Sequence, residues 1–328
     1  MSPARYLSLL VLTVLTLAGF WSAFAWTQRG RFTPSSFAQC HYIERKVQLG
    51  TKVPSPKIVV VAGSGATMGI SAAKLSQAFD VSAYNMGLLG YYSPGLQLFE
   101  ARKILHPGDA VILAHEFLAY YYDTPSDNMI DAVYACAGDY LDTLPMVQRV
   151  AYAFYVTPWR YIQVRNFDPA KLNLAADNVS RITNLGDADV ERLPPRSESD
   201  LQTIHNFEPL PISLRPDSAG AVGISDFLLW AAANDIAVFP TWPNTIDFPA
   251  YHNNPGLAAI ERFYSTHGVP MVGRLSDSVF PSSMFYDSDY HLGRQGIDMR
   301  TATLIQNLRR TSRFKAWLQR AGGAPPAR

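Results

Sequence analysis

The N-terminal stretch from Tyr6 to Trp26 constrains this chain most, because it contains no charged residue over the length of a membrane span. Arg5 precedes the stretch and Arg29 follows it. As a helix, these residues would rise by roughly 31 Å, about the thickness of the hydrocarbon core of a bilayer. Trp21 and Trp26 near the far end suit the membrane–water interface, where aromatic side chains collect. The stretch therefore predicts a transmembrane helix.

Residues 1–26 have two interpretations as an export segment. An uncleaved membrane anchor fits the span, which is longer than the core of an ordinary signal peptide. A cleaved signal peptide is the alternative, since Ala23-Phe24-Ala25 matches the small-x-small cleavage pattern. Length and position disfavour a third interpretation, the buried helix of a soluble protein. We favour the anchor, and both export interpretations place the remaining chain beyond the membrane.

Composition limits what the remaining residues, about 300 of them, can be. The net charge of +1 and the absence of a long basic run predict no nucleic-acid partner. The two cysteines, Cys40 and Cys136, stand far apart and lack the spacing of a metal-ligand pair. In an oxidising compartment they could form one disulfide, and two buried free thiols are the alternative.

Five short apolar segments that alternate with helical patterns predict an α/β fold. Lys57–Ala62 is a continuous β-branched run, as expected of a strand buried on both faces of a parallel sheet. The four other predicted strands are Val81–Tyr84, Ala110–Ala114, Ile236–Pro240 and Val269–Val272. Alternation of strands and helices is typical of a doubly wound, mostly parallel sheet. We therefore predict a linker over 27–56 and a domain with a five-stranded sheet over 57–320.

The regular alternation lapses over about 117–220, which we interpret as an insertion in this domain. Its first part is rich in Tyr, Phe and Trp, with segments that look helical, and its second part is polar and contains proline. The insertion would form a lid or a wall of the substrate site. A surface elaboration without a role in binding is the alternative.

Ser64 is the first candidate catalytic residue, because it follows the first predicted strand and precedes a helix. Ligands of open α/β sheets bind beyond the carboxyl ends of the strands. Gly63 and Gly65 allow close backbone approach, so Ser64 could be a nucleophile whose neighbouring amides hold an oxyanion. The alternatives are a serine that only caps the helix and a dinucleotide-binding glycine loop. That loop needs an acidic residue after the second strand, where Asn85 stands.

Two further polar groups could complete an active site. Asn85 and Gly87, after the second strand, could supply oxyanion donors through a side-chain amide and a backbone N–H, or could be ordinary turn residues. His291, close to the C-terminal helix, could be the general base. Asp289 and Asp287 could each orient its ring, and we prefer Asp289.

These groups together resemble the SGNH (GDSL-like) hydrolase superfamily. That superfamily has a serine after strand one, an Asn-x-Gly-x-x-Gly block after strand two, and an Asp/His pair before the last helix. The chain is most similar to the membrane-anchored DltD and alginate O-acetylation proteins of the AlgJ and AlgX type. The shared features are the N-terminal anchor, Pro107-Gly108-Asp109 and the close Asp289-x-His291 pair. The resemblance covers about 57–116 and 224–310.

The chain departs from the superfamily pattern in two places. The usual Gly-x-Asn-Asp block after strand three is replaced by Ala114-His115-Glu116-Phe117, so the Asn that commonly donates to the oxyanion is missing. Asp289 stands two positions before His291 rather than three, and Ser288 occupies the usual Asp position. The acetylation branch resembles this shorter spacing, which favours acyl transfer over ester hydrolysis.

The resemblance implies acyl transfer, expected to be O-acetyl transfer, to or from a cell-surface or secreted polysaccharide. Ser64 would be the nucleophile and His291 the base, oriented by Asp289. The Ser64 N–H, Asn85 and Gly87 would hold the oxyanion. The alternative is a non-catalytic glycan-binding or assembly protein of a polysaccharide export complex.

The same resemblance implies where the protein works and what it needs. It implies no metal and no organic cofactor. It implies a membrane-embedded partner protein that supplies the acyl group. The expected location is the bacterial inner membrane, crossed once, with the domain on the periplasmic side.

Aromatic and polar side chains near the predicted strand ends could bind the sugar. His115 follows the third strand, and Trp242 and Asn244 follow the fourth. The insertion adds aromatic candidates for stacking on sugar rings, which are Tyr120, Tyr121, Tyr122, Trp159 and Tyr161. We expect these side chains to line the substrate site.

Overall fold

The computed structural model describes residues 2–172 and 181–323. Residues 173–180, which belong to the predicted insertion, lie outside the described part, as do residues 1 and 324–328. The α-helices are α1 (Pro3–Trp26), α2 (Pro34–Gly50), α3 (Ser64–Thr67), α4 (Ala72–Phe79), α5 (Pro94–Arg102), α6 (Asp127–Ala135), α7 (Gly138–Thr143), α8 (Met146–Tyr155), α9 (Pro158–Asn166), α10 (Glu198–His205), α11 (Ala219–Ala233), α12 (Pro255–Thr266), α13 (Arg294–Arg310) and α14 (Ser312–Arg320). The strands are β1 (Lys57–Val61), β2 (Ser82–Asn85), β3 (Ala110–Leu113), β4 (Ala237–Pro240), β5 (Thr245–Ile246) and β6 (Val279–Phe280).

Four strands form one parallel sheet in the order β2-β1-β3-β4. Ile58 of β1 lies beside Ala83 of β2 and Ala110 of β3, and Ala110 lies beside Ala237 of β4. A separate parallel pair joins β5 and β6. The prediction of an α/β fold with a mostly parallel sheet is confirmed.

The predicted fifth strand, Val269–Val272, contributes one parallel bridge rather than a strand. The Val272 N–H donates to Pro240 O at 2.7 Å. Pro270 has no N–H to donate, and Gly273 follows with a φ of +76°, so the pairing does not extend beyond this residue. The described main sheet therefore has four strands where five were predicted.

Helices cover both faces of the sheet. Ile58 and Val60 of β1 belong to a core cluster that also contains side chains of α4, α13 and α14. Val59 and Val61 alternate with them, are equally buried and point to the opposite face. On that face α5 packs against β1, and α11 packs against α5 and β4. Burial on both faces explains why β1 is apolar throughout.

Helix α2 occupies much of the predicted linker over 27–56, so the prediction of an irregular segment is wrong there. The Ser36 N–H donates to Thr33 Oγ1 at 3.1 Å, and the Thr33 N–H donates to Ser36 Oγ at 2.8 Å. This reciprocal bonding is the geometry of a capping box, and Pro34 at the first helical position strengthens it. The sequence Thr33-Pro34-Ser35-Ser36 is typical of a helix start, but the polar composition of the segment favoured a linker.

The described residues form two compact units. The anchor unit comprises residues 2–42 and 126–172 and contains α1 and α6 to α9. The sheet unit comprises residues 43–125 and 181–323 and contains the four-stranded sheet with its helices. Only the middle of the stretch predicted as an insertion over 117–220 therefore groups with the N-terminal residues.

The anchor unit is held together by a disulfide and a buried ion pair. Cys40 and Cys136 are bonded to each other. Arg160 Nε lies 2.9 Å from Asp131 Oδ1, and both side chains are largely buried. Within the described residues, α1 is the one helix long and apolar enough to cross a membrane, with a mean hydropathy of 2.0.

Candidate active site

The candidate site lies in the sheet unit, beyond the carboxyl ends of β1 and β3. In the order β2-β1-β3-β4, the chain passes from β1 to β2 on one side of the sheet and then to β3 and β4 on the other side of β1. The direction of winding therefore reverses between β1 and β3. Open α/β sheets form a ligand crevice at such a reversal. Ser64 follows β1 closely and Glu116 follows β3 closely, so both side chains reach this crevice.

Ser64, His291 and Asp287 form a continuous chain of hydrogen bonds. His291 Nε2 lies 2.7 Å from Ser64 Oγ, and His291 Nδ1 lies 2.6 Å from Asp287 Oδ1. Because an ionised carboxylate only accepts hydrogen bonds, Nδ1–H donates to Asp287 and Nε2 accepts from the Ser64 hydroxyl. This is the arrangement of a nucleophile, a general base and an orienting acid.

Asp287, rather than the predicted Asp289, contacts the histidine. The chain turns at residues 289–290, where the Tyr290 N–H donates to Ser288 Oγ at 3.1 Å. The turn brings residues four positions apart together, so that Asp287 takes the hydrogen bond of the ring while Asp289 interacts with His291 only through its charge. Asp289 is buried, and burial raises its pKa to about 6. The preference for Asp289 rested on closeness in sequence, and the turn overrides it.

Glu116 is bonded to the backbone on both sides of the nucleophile. The Gly63 N–H donates to Glu116 Oε2 and the Gly65 N–H donates to Glu116 Oε1, each at 3.1 Å. A Cβ on Gly63 would come within 2.5 Å of the same carboxylate, so only glycine fits there. Burial raises the pKa of Glu116, and these N–H donors oppose the rise. Glu116 therefore holds the turn that carries Ser64.

Asn85 and Gly87 do not offer the predicted oxyanion donors. Asn85 is fully buried, and its Nδ2 donates to Ala66 O at 2.9 Å and to Ile70 O at 2.8 Å. Its Oδ1 accepts the Gly87 N–H at 3.0 Å. Both predicted donors are engaged inside the fold, because polar groups of α3 and of the segment after it are satisfied there by protein atoms where water is excluded.

Two other backbone amides remain near the nucleophile. Within residues 2–172 and 181–323, the N–H groups of Ser64 and Gly90 donate to no protein acceptor. A Cβ on Gly90 would lie 3.5 Å from Ser64 Oγ, so the Gly90 backbone borders the reacting atom. Among the described residues, the predicted Ser64 N–H and the unpredicted Gly90 N–H are therefore two uncommitted backbone donors close to the nucleophile.

A buried lysine donates hydrogen bonds to the backbone of the Asn85 segment and of its neighbour Gly186. Lys46 Nζ donates to Gly186 O at 2.6 Å and to Asn85 O at 3.1 Å. Burial lowers the Lys46 pKa to about 7, against the attraction of Asp187. Lys46 is not among the predicted site residues, because it lies in the segment predicted to be a linker.

The residues predicted to bind substrate are buried. His115 is inaccessible, and burial lowers its pKa to about 4, so its ring is neutral near pH 7. Trp242 and Asn244 are also buried, and Asn244 Nδ2 donates to Tyr290 O. That bond makes Asn244 a support of the His291 loop rather than a surface for sugar.

The aromatic residues predicted to stack on sugar divide between the two units. Tyr120 and Tyr122 are buried in the sheet unit, where Tyr120 contacts Tyr264, so they belong to the core. Trp159 and Tyr161 are exposed in the anchor unit. The described residues contain no cluster of three or more His, Cys, Asp and Glu side chains able to hold a metal ion.

No family model matches the chain, and no curated protein matches it.

Proposed function

We propose that this protein is a serine acyl-transfer enzyme that moves an acyl group, expected to be O-acetyl, to or from an extracytoplasmic polysaccharide. The observation that carries the proposal is the unbroken Ser64–His291–Asp287 hydrogen-bond chain, with distances of 2.7 and 2.6 Å. A serine that only capped a helix would not require a histidine at its hydroxyl or a carboxylate behind that histidine.

The chemistry follows from this chain of bonds. Ser64 Oγ attacks the acyl carbonyl while His291 Nε2 takes the hydroxyl proton. Asp287 keeps the ring in the required tautomer and stabilises the imidazolium that forms. His291 then gives the proton to the leaving alcohol, and an acyl-enzyme remains on Ser64. A sugar hydroxyl or a water repeats the steps in reverse and takes the acyl group.

The tetrahedral oxyanion would be held by backbone amides. The Ser64 and Gly90 N–H groups, which donate to no acceptor among the described residues, would donate to it. Glu116 occupies the neighbouring amides of Gly63 and Gly65 and fixes the turn. Preorganised donors of this kind stabilise developing negative charge without rearrangement.

An extracytoplasmic location is supported by two features of the anchor unit. Helix α1 has the length and composition of a membrane span. The Cys40–Cys136 disulfide fits an oxidising compartment. We propose a single-pass inner-membrane protein whose sheet unit lies on the periplasmic side.

A polymer and a membrane protein are the proposed partners. The side chains of Asp287 and His291 are 39 % and 19 % exposed, so the triad is open enough to meet a bulky polysaccharide. A tether at the membrane would keep the site close to a membrane-embedded donor of acyl groups, which the resemblance to the O-acetylation proteins implies.

One observation favours a second candidate, a non-catalytic glycan-binding or assembly protein. Glu116 stands where the superfamily pattern has the Asn block, and its carboxylate takes up two of the amides beside Ser64. If the remaining donors are too few to hold an oxyanion, the fold would be kept for binding alone.

A serine-reactive fluorophosphonate probe separates the two candidates. We expect labelling of the full-length protein in detergent and loss of labelling in Ser64→Ala. Ser312→Ala, which changes an exposed serine at the start of α14, is the matched control and should label like the unmodified protein. If neither the unmodified protein nor Ser64→Ala is labelled, or if Ser64→Ala is labelled as strongly as the unmodified protein, the binding protein would be favoured. Polysaccharide that keeps its full acyl content in a Ser64→Ala strain would contradict acyl transfer.

A further inference from the structure

Helices α8 and α9 of the anchor unit expose a large apolar surface. Val147 is 81 % exposed, Met146 70 % and Trp159 63 %. Phe154, Tyr155 and Ile162 on the same two helices are exposed as well. Single exposed apolar residues are ordinary, whereas a continuous apolar patch of this kind marks a surface that meets another apolar phase.

The charges of this segment are of one sign. Residues 143–167 contain Arg149, Arg160 and Arg165 and no acidic residue. Arg160 is buried in its ion pair with Asp131, and Arg149 pairs with Asp142 just before the segment. The exposed charge of the two helices is therefore the basic Arg165. An apolar face with basic residues is the composition of helices that lie on anionic bilayers.

The apolar surface continues onto the outer end of the proposed membrane span. Trp21 Nε1 in α1 donates to Ala153 O in α8 at 2.9 Å. The rings of Phe24 in α1 and Tyr161 in α9 lie 5.9 Å apart. Trp21 precedes the helix end at Trp26 by roughly 7.5 Å, which is close to the thickness of the headgroup layer on one side of a bilayer.

We infer that α8 and α9 lie in the membrane interface beside α1, with their exposed apolar side chains among the lipids. The inference rests on the proposed membrane anchoring of α1. A lipid occupant is favoured over a protein because the patch adjoins the span itself and its two helices carry basic residues and no acidic one. The anchor unit would then rest on the bilayer at two places rather than swing on a single helix.

The test uses the full-length protein in nanodiscs of phosphatidylcholine and phosphatidylglycerol, with no protein present besides the scaffold of the disc. Both native cysteines are in the disulfide, so one introduced cysteine can be labelled with the environment-sensitive dye NBD. Val147→Cys and Phe154→Cys report on α8, and Leu12→Cys, in the middle of α1, reports on the span. Lipids carry a quenching doxyl group near either the headgroup or the chain end.

We expect the two α8 probes to be quenched about twice as strongly by the shallow doxyl lipid as by the deep one, and the Leu12 probe to show the reverse order. The free NBD–cysteine adduct in buffer gives the fully aqueous reference. Quenching at Leu12 with aqueous spectra at both α8 positions would overturn the inference and leave the anchor intact. An unquenched Leu12 probe would overturn the anchoring itself. Shielding of the α8 probes that requires added membrane protein would assign the surface to a protein.

Discussion

The His291 loop and the Asn85 segment both carry polar side chains at the edge of the same sheet, but they use them in opposite ways. Asn85 is fully buried, and both ends of its side-chain amide are bonded to the backbone of its own unit. His291 remains partly exposed and bonds Ser64 from a loop more than two hundred residues further along the chain. The first arrangement stabilises the fold, and the second leaves reactive atoms within reach of a substrate.

This difference shows that a polar residue after a strand is not automatically a functional one. A group can stabilise a transition state only if its hydrogen-bonding atoms are free or loosely held in the resting protein. Asn85 fails this condition, whereas the Ser64 and Gly90 amides meet it within the described residues. Substitutions at the two regions should therefore affect different quantities.

The largest effect should come from breaking the bond behind His291. Asp287→Asn should lower kcat for an aryl acetate by about a thousandfold, about 4 kcal/mol of transition-state stabilisation, because the ring would adopt the wrong tautomer. KM should change little. Asp289→Asn is the matched control and should lose less than about tenfold, because Asp289 does not bond the ring. A greater loss in Asp289→Asn than in Asp287→Asn would return the orienting role to Asp289.

The sheet could be predicted because its causes are local in sequence. The β-branched run of β1 and the short apolar runs of β3 and β4 match strands that are largely buried on both faces. The fifth strand was not predicted correctly, because Pro270 and Gly273 limit Val272 to a single bridge. The apolar helix over residues 3–26 likewise follows from composition alone.

The candidate site could be predicted only in part, because side-chain partners are chosen in three dimensions. Ser64 and His291 stand at the predicted positions, but the choice between Asp287 and Asp289 depends on a turn that spacing does not reveal. Glu116 acquires its role by reaching back to the turn after β1. Lys46 reaches the Asn85 segment from a helix that was taken for a linker.

The next largest effect should be on stability and should arise in the Asn85 segment, whose polar side chain is buried. Asn85→Ala would remove the hydrogen bonds that the side-chain amide makes with the Gly87 N–H and with the Ala66 and Ile70 carbonyls, at a cost of about 3 kcal/mol in the free energy of unfolding. Denaturant unfolding followed by near-ultraviolet circular dichroism measures it. Asn254→Ala, which removes the cap of α12, should cost about 1 kcal/mol. Unchanged stability with a hundredfold or greater loss of kcat, about the size expected for a lost oxyanion donor, would show that Asn85 acts in catalysis.

The smallest effect concerns Asp289, which lies in the His291 loop but resembles Asn85 in being buried. Because its pKa is raised from 3.8 to about 6 by burial, the folded protein binds this proton more tightly than the unfolded chain does. Stability from this group is present below about pH 4, falls as the pH rises to about 6, and stays lost above it. Asp289→Asn should therefore raise the free energy of unfolding by about 2 to 3 kcal/mol near pH 8 and by much less near pH 4.

The pH dependence of that gain decides what Asp289 does. In thermal unfolding of the detergent-solubilised protein, a gain of about 2 to 3 kcal/mol corresponds to a rise in Tm of roughly 4 to 12 °C for a unit of this size. Asp287→Asn is the control, since its side chain is 39 % exposed and its substitution should produce no comparable rise at high pH. An Asp289→Asn protein that is less stable than the parent at pH 8 would mean that the carboxylate is ionised and bonded in the fold. Asp289 would then act like the polar atoms of Asn85, as an internal support of the loop that presents His291.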